Sequence, residues 1–432
     1  MNHTGVIFSV FILAILPLPT GNLGLNAQIE NTIISSSDPE VFYVGVTYCG
    51  DSVSDARLLI DRVKNFTNLL VVQSGPVSKN ETMLNEICDY AVDSGLSIIV
   101  YFGKWDRDWQ LSWLDGAKEN WGPSLLGIYF FDEPAGSLLD SFVEMWDASS
   151  GEHKLEIPGS YDEMAEFFVY SWQTMPGLRT MKERDAPVVA FTSDYALYWF
   201  DYLAGYDVVF AQFGWNHSRI QDIALVRGAA KLQDKGWGVI VTWTFNNPPY
   251  LVGGDRLYED LVMAYDNGAE YGVVFNYPKI NDYGILNEGH FLALESFWNN
   301  IVQNSEAKQG SIKGEAVLVL PKNYGWGMRS LDDTIWGLWD ADEKSEQIWN
   351  LRSTLIEEYS LNLDIVYDDP EFSVEGKYDQ TFYVPTEKTE PFSSTWIVAA
   401  IVIVAVIGTS FLVYRIWSKK TTKQINHNKK YQ

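Results

Sequence analysis

The alternation of short apolar runs with helical segments constrains the fold of this chain more than any other feature. Eight runs, each bounded by polar or turn-forming residues, have the composition of strands buried on both faces of a parallel sheet. Helical patterns separate them over about 260 residues, which is the size and order of a (β/α)8 TIM barrel. An open doubly wound sheet is the alternative, but it seldom needs so many evenly spaced units. The predicted strands are Phe42–Tyr48, Asn68–Gln73, Ser97–Phe102, Leu125–Phe131, Pro187–Thr192, Asp207–Phe213, Gly238–Thr244 and Tyr271–Asn276.

The fourth predicted strand ends in two adjacent carboxylates and a proline, Asp132, Glu133 and Pro134. Pro134 favours an extended backbone at Glu133 and has no N–H for the sheet, so the strand is expected to end there. Two carboxylates at a dry strand end repel each other, and burial raises the pKa of at least one. A carboxyl that keeps its proton near neutral pH can act as a general acid. The alternative is structural, with Asp132 capping the next segment and Glu133 solvated.

The other strand ends bring amides, carboxylates and aromatic rings to the same rim, because the active site of a (β/α)8 barrel lies at the C-terminal ends of its strands. Carboxylates and amides can hydrogen-bond the hydroxyls of a sugar, and aromatic rings can stack on its apolar faces. The sequence therefore predicts a carbohydrate pocket, with Glu133 and Asp132 as its catalytic pair. Polar loops without a ligand are the alternative. The predicted substrate-binding residues are Trp105, Asp194, Tyr195, Gln212, Trp215, Trp243, Asn246, Asn276 and Tyr277.

With this rim the barrel resembles (β/α)8 glycoside hydrolases, in two variants. In one retaining clan the fourth strand ends in Asn-Glu-Pro, where the Glu is the acid/base and a second Glu, at the end of strand seven, is the nucleophile. Glu133-Pro134 is similar to this motif, although Asp132 replaces the Asn. No Glu lies between Gly238 and Pro249, so the nucleophile of that clan has no counterpart here.

The adjacent Asp-Glu also resembles the end of strand four in substrate-assisted N-acetylhexosaminidases. There the 2-acetamido group of the substrate replaces the enzyme nucleophile. The resemblance implies Glu133 as acid/base and Asp132 as the residue that orients the acetamido group. It further implies Tyr277 or Tyr195 as a donor to the acetamido oxygen. The function expected on this basis is a membrane-anchored extracellular glycoside hydrolase acting on cell-surface or environmental glycans. A non-catalytic carbohydrate-binding or surface-layer-associated barrel is the alternative, since fold does not determine function.

Other chemistries find less support in the sequence. The formal charge of −26 argues against binding nucleic acid through its phosphates. Only two cysteines are present, Cys49 and Cys88, too few for a zinc site built from cysteine alone or for a disulfide framework, although one bond between them is allowed by count. No cofactor or metal is predicted. Three histidines lie between the terminal segments, none in a nucleophile-elbow context: His153, His217 and His290.

The chain after the barrel changes in character. Residues 311–385 contain a strand, a helix and a second strand, which predict a small flavodoxin-like α/β domain. A polar linker at 386–395 leads to an uninterrupted apolar stretch at 396–414, about the length needed to span a bilayer. Residues 415–432 carry Lys and Arg without acids, so this tail is expected to be cytoplasmic.

The N-terminal segment completes the predicted organisation. Residues 1–27 have the apolar run and small-residue end of a signal peptide, although the segment lacks a basic start and an uncleaved anchor is the alternative. Residues 40–305 would form the barrel. The chain is thus expected to be a single-pass protein of the cell membrane with most of its mass outside. The sequence does not indicate an oligomeric state.

Overall fold

The structure is a computed structural model and describes residues 41–103, 107–141, 157–184, 187–304 and 306–385. Within these residues eight parallel strands pair in chain order, and the eighth pairs with the first to close a barrel. The predicted (β/α)8 barrel is therefore confirmed. Its strands are β1 (Tyr43–Tyr48), β2 (Leu69–Val72), β3 (Ser97–Tyr101), β4 (Leu125–Tyr129), β5 (Ala190–Asp194), β6 (Val208–Phe213), β7 (Gly236–Val241) and β8 (Tyr271–Val274).

Helices surround the barrel, and polar side chains fix where several of them begin. Ser52, Asn80 and Ser218 each accept a hydrogen bond from a backbone N–H in the first turn, which satisfies a group that has no partner within the helix. The helices are α1 (Val53–Val63), α2 (Gly75–Ser78), α3 (Glu81–Asp93), α4 (Trp109–Trp121), α5 (134–141), α6 (Tyr161–Gln173), α7 (Pro176–Lys182), α8 (Tyr198–Leu203), α9 (Arg219–Gln233), α10 (Gly254–Asp266) and α11 (Glu288–Phe297).

The interior of the barrel is filled by side chains and forms its own apolar cluster, separate from the layer between strands and helices. Tyr129, Phe191 and Phe210 are among its fully buried members, and their rings lie against one another. Such a packed interior leaves no channel, as is usual for this fold. A ligand can therefore reach the barrel only at the rim.

The end of β4 differs from the prediction in two respects. The strand ends at Tyr129 rather than Phe131, and Glu133 is not extended but has φ of 55°, in the left-handed region. The Glu133 N–H donates to the Ser193 carbonyl at 2.9 Å, and α5 begins at once with Pro134, a favoured first residue of a helix. These tertiary contacts outweigh the preference that a following proline imposes. A non-glycine residue in this region costs about 1–3 kcal/mol and is typical of functional sites.

The segment after the barrel forms a three-stranded parallel sheet in the order β10-β9-β11, with one helix. Its elements are β9 (Ala316–Leu320), α12 (Glu343–Tyr359), β10 (Leu363–Tyr367) and β11 (Gln380–Tyr383). The predicted strand–helix–strand unit is present, but this small sheet does not confirm a flavodoxin-like domain. The described residues up to Val384 belong to one compact unit, and a division into two domains stays a prediction.

A buried ion pair joins this small sheet to the barrel. Arg227 on α9 donates through Nε to Asp364 Oδ1 on β10 at 2.8 Å, and both side chains are almost fully buried. The remaining guanidinium nitrogens donate to Asn267 Oδ1 at 2.6 Å and to the Leu361 carbonyl at 2.7 Å. With its donors used in this way, Arg227 holds the sheet against α9.

No helix within the ranges described above is both long and apolar enough to cross a bilayer. The predicted signal peptide, linker, membrane helix at 396–414 and basic tail all lie outside those ranges. The membrane topology therefore stays a prediction from sequence.

Candidate active site

Asp132 lies at the mouth of the barrel, directly above the packed interior. Its Oδ1 accepts hydrogen bonds from the Tyr129 hydroxyl at 2.5 Å and from Ser193 Oγ at 2.9 Å. Its Oδ2 lies 3.4 Å from Nε2 of Gln73, the residue that follows β2. Burial raises the pKa of the Asp132 carboxyl, whereas the bonds from Tyr129 and Ser193 act in the opposite direction because they favour the charged form.

Glu133 lies beside it, with a different set of partners. Its Oε1 accepts from Gln212 Nε2 at 2.8 Å, and the same nitrogen lies 3.0 Å from Ser193 Oγ. Burial, followed by the negative charge of Asp132, raises the pKa of Glu133 to about 8. Both effects favour the protonated form of the Glu133 carboxyl.

The two carboxyls differ because their donors differ. Asp132 receives two hydroxyl donors, which stabilise an anion, whereas Glu133 receives a single amide donor and sits next to that anion. Neighbouring titratable groups whose environments separate their pKa values are a recognised basis for acid and base roles. The arrangement suits one proton on Glu133 and one negative charge on Asp132.

Asp194 ends β5 but binds the backbone. Its two oxygens accept from the N–H groups of Ala135 at 2.8 Å, Gly136 at 2.9 Å, Tyr195 at 2.7 Å and Ala196 at 3.3 Å. The side chain is fully buried, and burial raises its pKa to about 7. Asp194 therefore holds the start of α5 against β5 and so fixes the backbone next to Glu133. The sequence analysis predicted that Asp194 binds substrate, whereas in the structure its oxygens bind backbone N–H groups.

Tyr195 is held against the start of α5 by contacts that the sequence analysis missed. Its ring lies over Gly136, where an added Cβ would stand 2.3 Å from the ring carbon Cζ. Its hydroxyl donates to Asp140 Oδ2 at 2.6 Å, and Arg329 donates to the other oxygen of Asp140, also at 2.6 Å. Arg329 also lies over the Tyr195 ring, 5.4 Å from its centre, and pairs with Asp333. A residue that follows β9 thus supports one wall of the site.

Three of the predicted aromatic residues form one cluster across the ends of β6, β7 and β8. The rings of Trp243 and Tyr277 are stacked with 6.2 Å between centres, and Trp215 meets Trp243 edge-on at 5.9 Å. Trp215 also donates through Nε1 to Gln212 Oε1 at 3.3 Å, which connects the cluster to Glu133. Asn246 lies in the exposed loop after β7, whereas Trp105 lies outside the described residues.

The end of β1 contributes a thiol, and the end of β8 an amide. The Sγ atom of Cys49 lies 3.1 Å from Thr47 Oγ1. Burial raises the pKa of the Cys49 thiol to about 12, which favours the protonated thiol. Cys49 and Cys88 are both free. Asn276 is buried and its Oδ1 accepts from the Ile285 N–H at 2.8 Å. Among the residues placed by the structure, no three His, Cys, Asp or Glu side chains are grouped as a metal site.

Comparison with known proteins gives little beyond the architecture. No protein-family model matches the chain, and no curated protein matches it. Similar solved structures include an HpcH/HpaI aldolase/citrate lyase family protein from Burkholderia cenocepacia (13% identity, 55% of this chain and 89% of that chain, TM-score 0.30). Another is (S)-3-O-geranylgeranylglyceryl phosphate synthase from Thermoplasma acidophilum (12% identity, 61% of this chain and 94% of that chain, TM-score 0.31). A third is orotidine 5'-monophosphate decarboxylase from Methanocaldococcus jannaschii (8% identity, 60% of this chain and 98% of that chain, TM-score 0.31).

These comparisons correct the prediction of function. The similar barrels are an aldolase/lyase family protein, a synthase and a decarboxylase, so the resemblance to glycoside hydrolases is not confirmed and the predicted glycoside hydrolase is withdrawn. The Asp-Glu-Pro tripeptide that carried the resemblance is too short to specify a reaction. At such low identities and TM-scores, the similar structures also give no basis for transferring their own activities to this chain.

Proposed function

We propose that this chain is an enzyme that transfers a proton to or from a small polar substrate at the mouth of the barrel. Glu133 is the general acid/base in this proposal, and Asp132 is the neighbouring anion. The observation that carries it is the unequal environment of two adjacent buried carboxyls, one with two hydroxyl donors and one with a single amide donor.

The proposed proton transfer follows from these contacts. Glu133 begins protonated, because burial and Asp132 raise its pKa to about 8, and it gives its proton to a basic atom of the substrate. The Asp132 anion stabilises the positive charge that develops there. After the transfer two carboxylates lie side by side, their repulsion raises the proton affinity of Glu133, and Glu133 regains a proton from the solvent. General acid catalysis of this kind typically contributes about 10²–10⁴-fold in rate.

Gln212 is the positioning residue for Glu133 in this mechanism. Trp215 Nε1 donates to Gln212 Oε1, which identifies that atom as the amide oxygen and turns the nitrogen towards Glu133 and Ser193. Gln212 thus holds the Glu133 carboxyl at a fixed place on the rim. The left-handed backbone at Glu133 supports this reading, since strained residues concentrate at functional sites.

Two measurements test the proposal with matched variants, Glu133→Gln and Glu119→Gln, the latter on the exposed side of α4. In the first, infrared spectra at pH 7 should show a protonated carboxyl band that loses intensity in Glu133→Gln and keeps it in Glu119→Gln, while buried acids such as Asp194 supply the remainder. Identical spectra for Glu133→Gln and wild type would mean that Glu133 is ionised, and the proposal would fail.

The second measurement looks for chemistry. Wild-type protein is incubated in D2O with a panel of small carbonyl, hydroxy and amino compounds, and deuterium incorporation or product formation is followed by proton NMR. Any reaction found should fall about 10²–10⁴-fold in Glu133→Gln and stay unchanged in Glu119→Gln. A reaction that survives Glu133→Gln within threefold would assign the proton transfer to another group.

A further inference from the structure

A pocket of about 420 Å³ lies between the connections that follow β1 and β8. Three carboxylates line it, Asp51, Asp55 and Asp282, against one ammonium group, Lys279. Lys279 Nζ contacts Asp55 Oδ2 at 2.6 Å, and among the described residues neither Asp51 nor Asp282 forms a salt bridge. Three carboxylates and one ammonium leave an excess of two negative charges, which favours a cationic ligand.

Aromatic rings line the same pocket. Tyr48, Tyr277 and Tyr283 contribute to its wall. Tyr277 is 48% exposed, and Trp243 stacks on its ring. The face of an aromatic ring attracts a cation placed over it, by about 0.5–1 kcal/mol at exposed sites. Acidic and aromatic side chains together therefore favour an organic ammonium group.

Asn276 supplies an observation independent of charge. This side chain is only 5% exposed and lines the pocket. Its Oδ1 accepts from the Ile285 N–H at 2.8 Å, which identifies the oxygen and leaves Nδ2 as a donor. No described residue accepts a hydrogen bond from that Nδ2. With its oxygen used in this way, the amide nitrogen is available to donate to an acceptor on a ligand in the pocket.

Gly284 shows that the position of the Asn276 amide is built into the fold. Gly284 has φ of +81°, and a Cβ added there would lie 2.1 Å from Asn276 Oδ1. The backbone approaches the amide this closely because the residue is glycine. The amide is thus held in one orientation by the chain around it.

We propose that this pocket binds a small primary amine that also carries an oxygen acceptor. Its ammonium group lies among the aspartates and tyrosines, and its oxygen accepts from Asn276. Acidic surface is common on a chain of formal charge −26, and the buried Asn276 amide in the wall is what separates this pocket from a bare acidic cluster. The pocket is also near the proposed catalytic pair. Cys49 lines the pocket, and the negative charge of Asp132 helps to raise the pKa of the Cys49 thiol.

The test compares ligands of nearly equal shape by isothermal titration calorimetry on the full chain. The probe is 2-methoxyethylamine, which has an ammonium group and an ether oxygen. Butylamine lacks the oxygen, and 2-methoxyethanol lacks the charge. The probe should bind at least about threefold more tightly than either, and added salt should weaken its binding because it screens the aspartates.

Variants identify the pocket. Asp51→Asn and Asp282→Asn should each weaken binding of the probe about three- to tenfold, whereas Asp93→Asn, on the exposed end of α3, should leave it unchanged. Asn276→Asp keeps the acceptor for Ile285 and removes the donor, so it should abolish the preference for the probe over butylamine.

Three outcomes would overturn the proposal: no binding of the probe, equal binding of 2-methoxyethanol, or binding that is insensitive to both aspartate variants. The ligand comparison on wild-type protein decides the case even where a variant does not fold. The inference goes beyond the proposed proton transfer, because binding is measured without turnover, so failure of either one leaves the other standing.

Discussion

Gly136, the third residue of α5, offers a sharp test of how the site is held together. A methyl group at this position would lie 2.3 Å from Tyr195 Cζ and 2.6 Å from both neighbouring ring carbons, well inside van der Waals contact. The ring cannot swing aside freely, because its hydroxyl is bound to Asp140 and Arg329 lies over its face. Gly136→Ala must therefore displace either the ring or the start of α5.

The size of the effect follows from two opposing contributions. Overpacking of this kind typically costs about 1–3 kcal/mol, and replacing glycine by alanine in a helix recovers about 0.5–1 kcal/mol. We expect Gly136→Ala to lower the free energy of unfolding by about 0.5–2 kcal/mol, measured by urea titration with tryptophan fluorescence. Gly116→Ala is the matched control, since it lies inside α4 with nothing within 4 Å of the new Cβ, and it should stabilise the protein.

A double-mutant cycle with Tyr195→Leu isolates the contact. With the ring removed, the cost of Gly136→Ala should disappear, giving a coupling energy of about 1–3 kcal/mol. Gly136→Ala at wild-type stability or above, or a cost that persists without the ring, would refute the reasoning. Either result would mean that Tyr195 is not seated on α5.

Two further predictions concern the buried charges. Arg227→Met should lower the free energy of unfolding by about 3 kcal/mol, because among the described residues Asp364 then keeps only Lys231, 3.7 Å away, as a charged partner. The exposed Lys313→Met is the control, and a loss below about 0.5 kcal/mol would contradict the prediction. The pKa of Glu133 is raised to about 8, so the unfolded chain ionises first as pH rises, and the free energy of unfolding should fall between about pH 5 and 8 by up to about 1.4 kcal/mol per pH unit. Glu133→Gln should reduce that slope in urea titrations at several pH values, while buried acids such as Asp194 keep contributing to it. An unchanged slope would show that Glu133 has an ordinary pKa.

The barrel was predictable because each strand is buried on both faces and leaves a continuous apolar run in the sequence. Ile98 to Val100 and Val208 to Ala211 show this directly. The position of the candidate site followed from the barrel, since the ends of parallel strands meet at one rim. The adjacent carboxyls at Asp132 and Glu133 were already visible at the end of the fourth apolar run, and the barrel placed them at that rim.

The contacts around those carboxyls could not be predicted, because they join distant parts of the chain. Tyr195 and Asp140 are 55 residues apart, and Asp140 and Arg329 are 189 apart. Asp194 illustrates a second difficulty. An acid at the end of a strand has the same local sequence whether it faces a ligand or backbone amides, and here it binds amides. Local sequence also favoured an extended Glu133, which tertiary contacts override.

The contact between Arg329 and Asp140 has a consequence for how this protein can be altered. Thr334 also donates to the Leu139 carbonyl at 3.2 Å, so the segment around Arg329 holds α5 at two points. Part of the rim is thus supported by chain that lies beyond the last strand of the barrel. A chimera that combined this barrel with a foreign C-terminal segment would contain Tyr195 and Asp140 but would lack Arg329, which contacts both. The two parts are therefore expected to be inherited together, and substitutions on either side of this contact should accumulate in pairs.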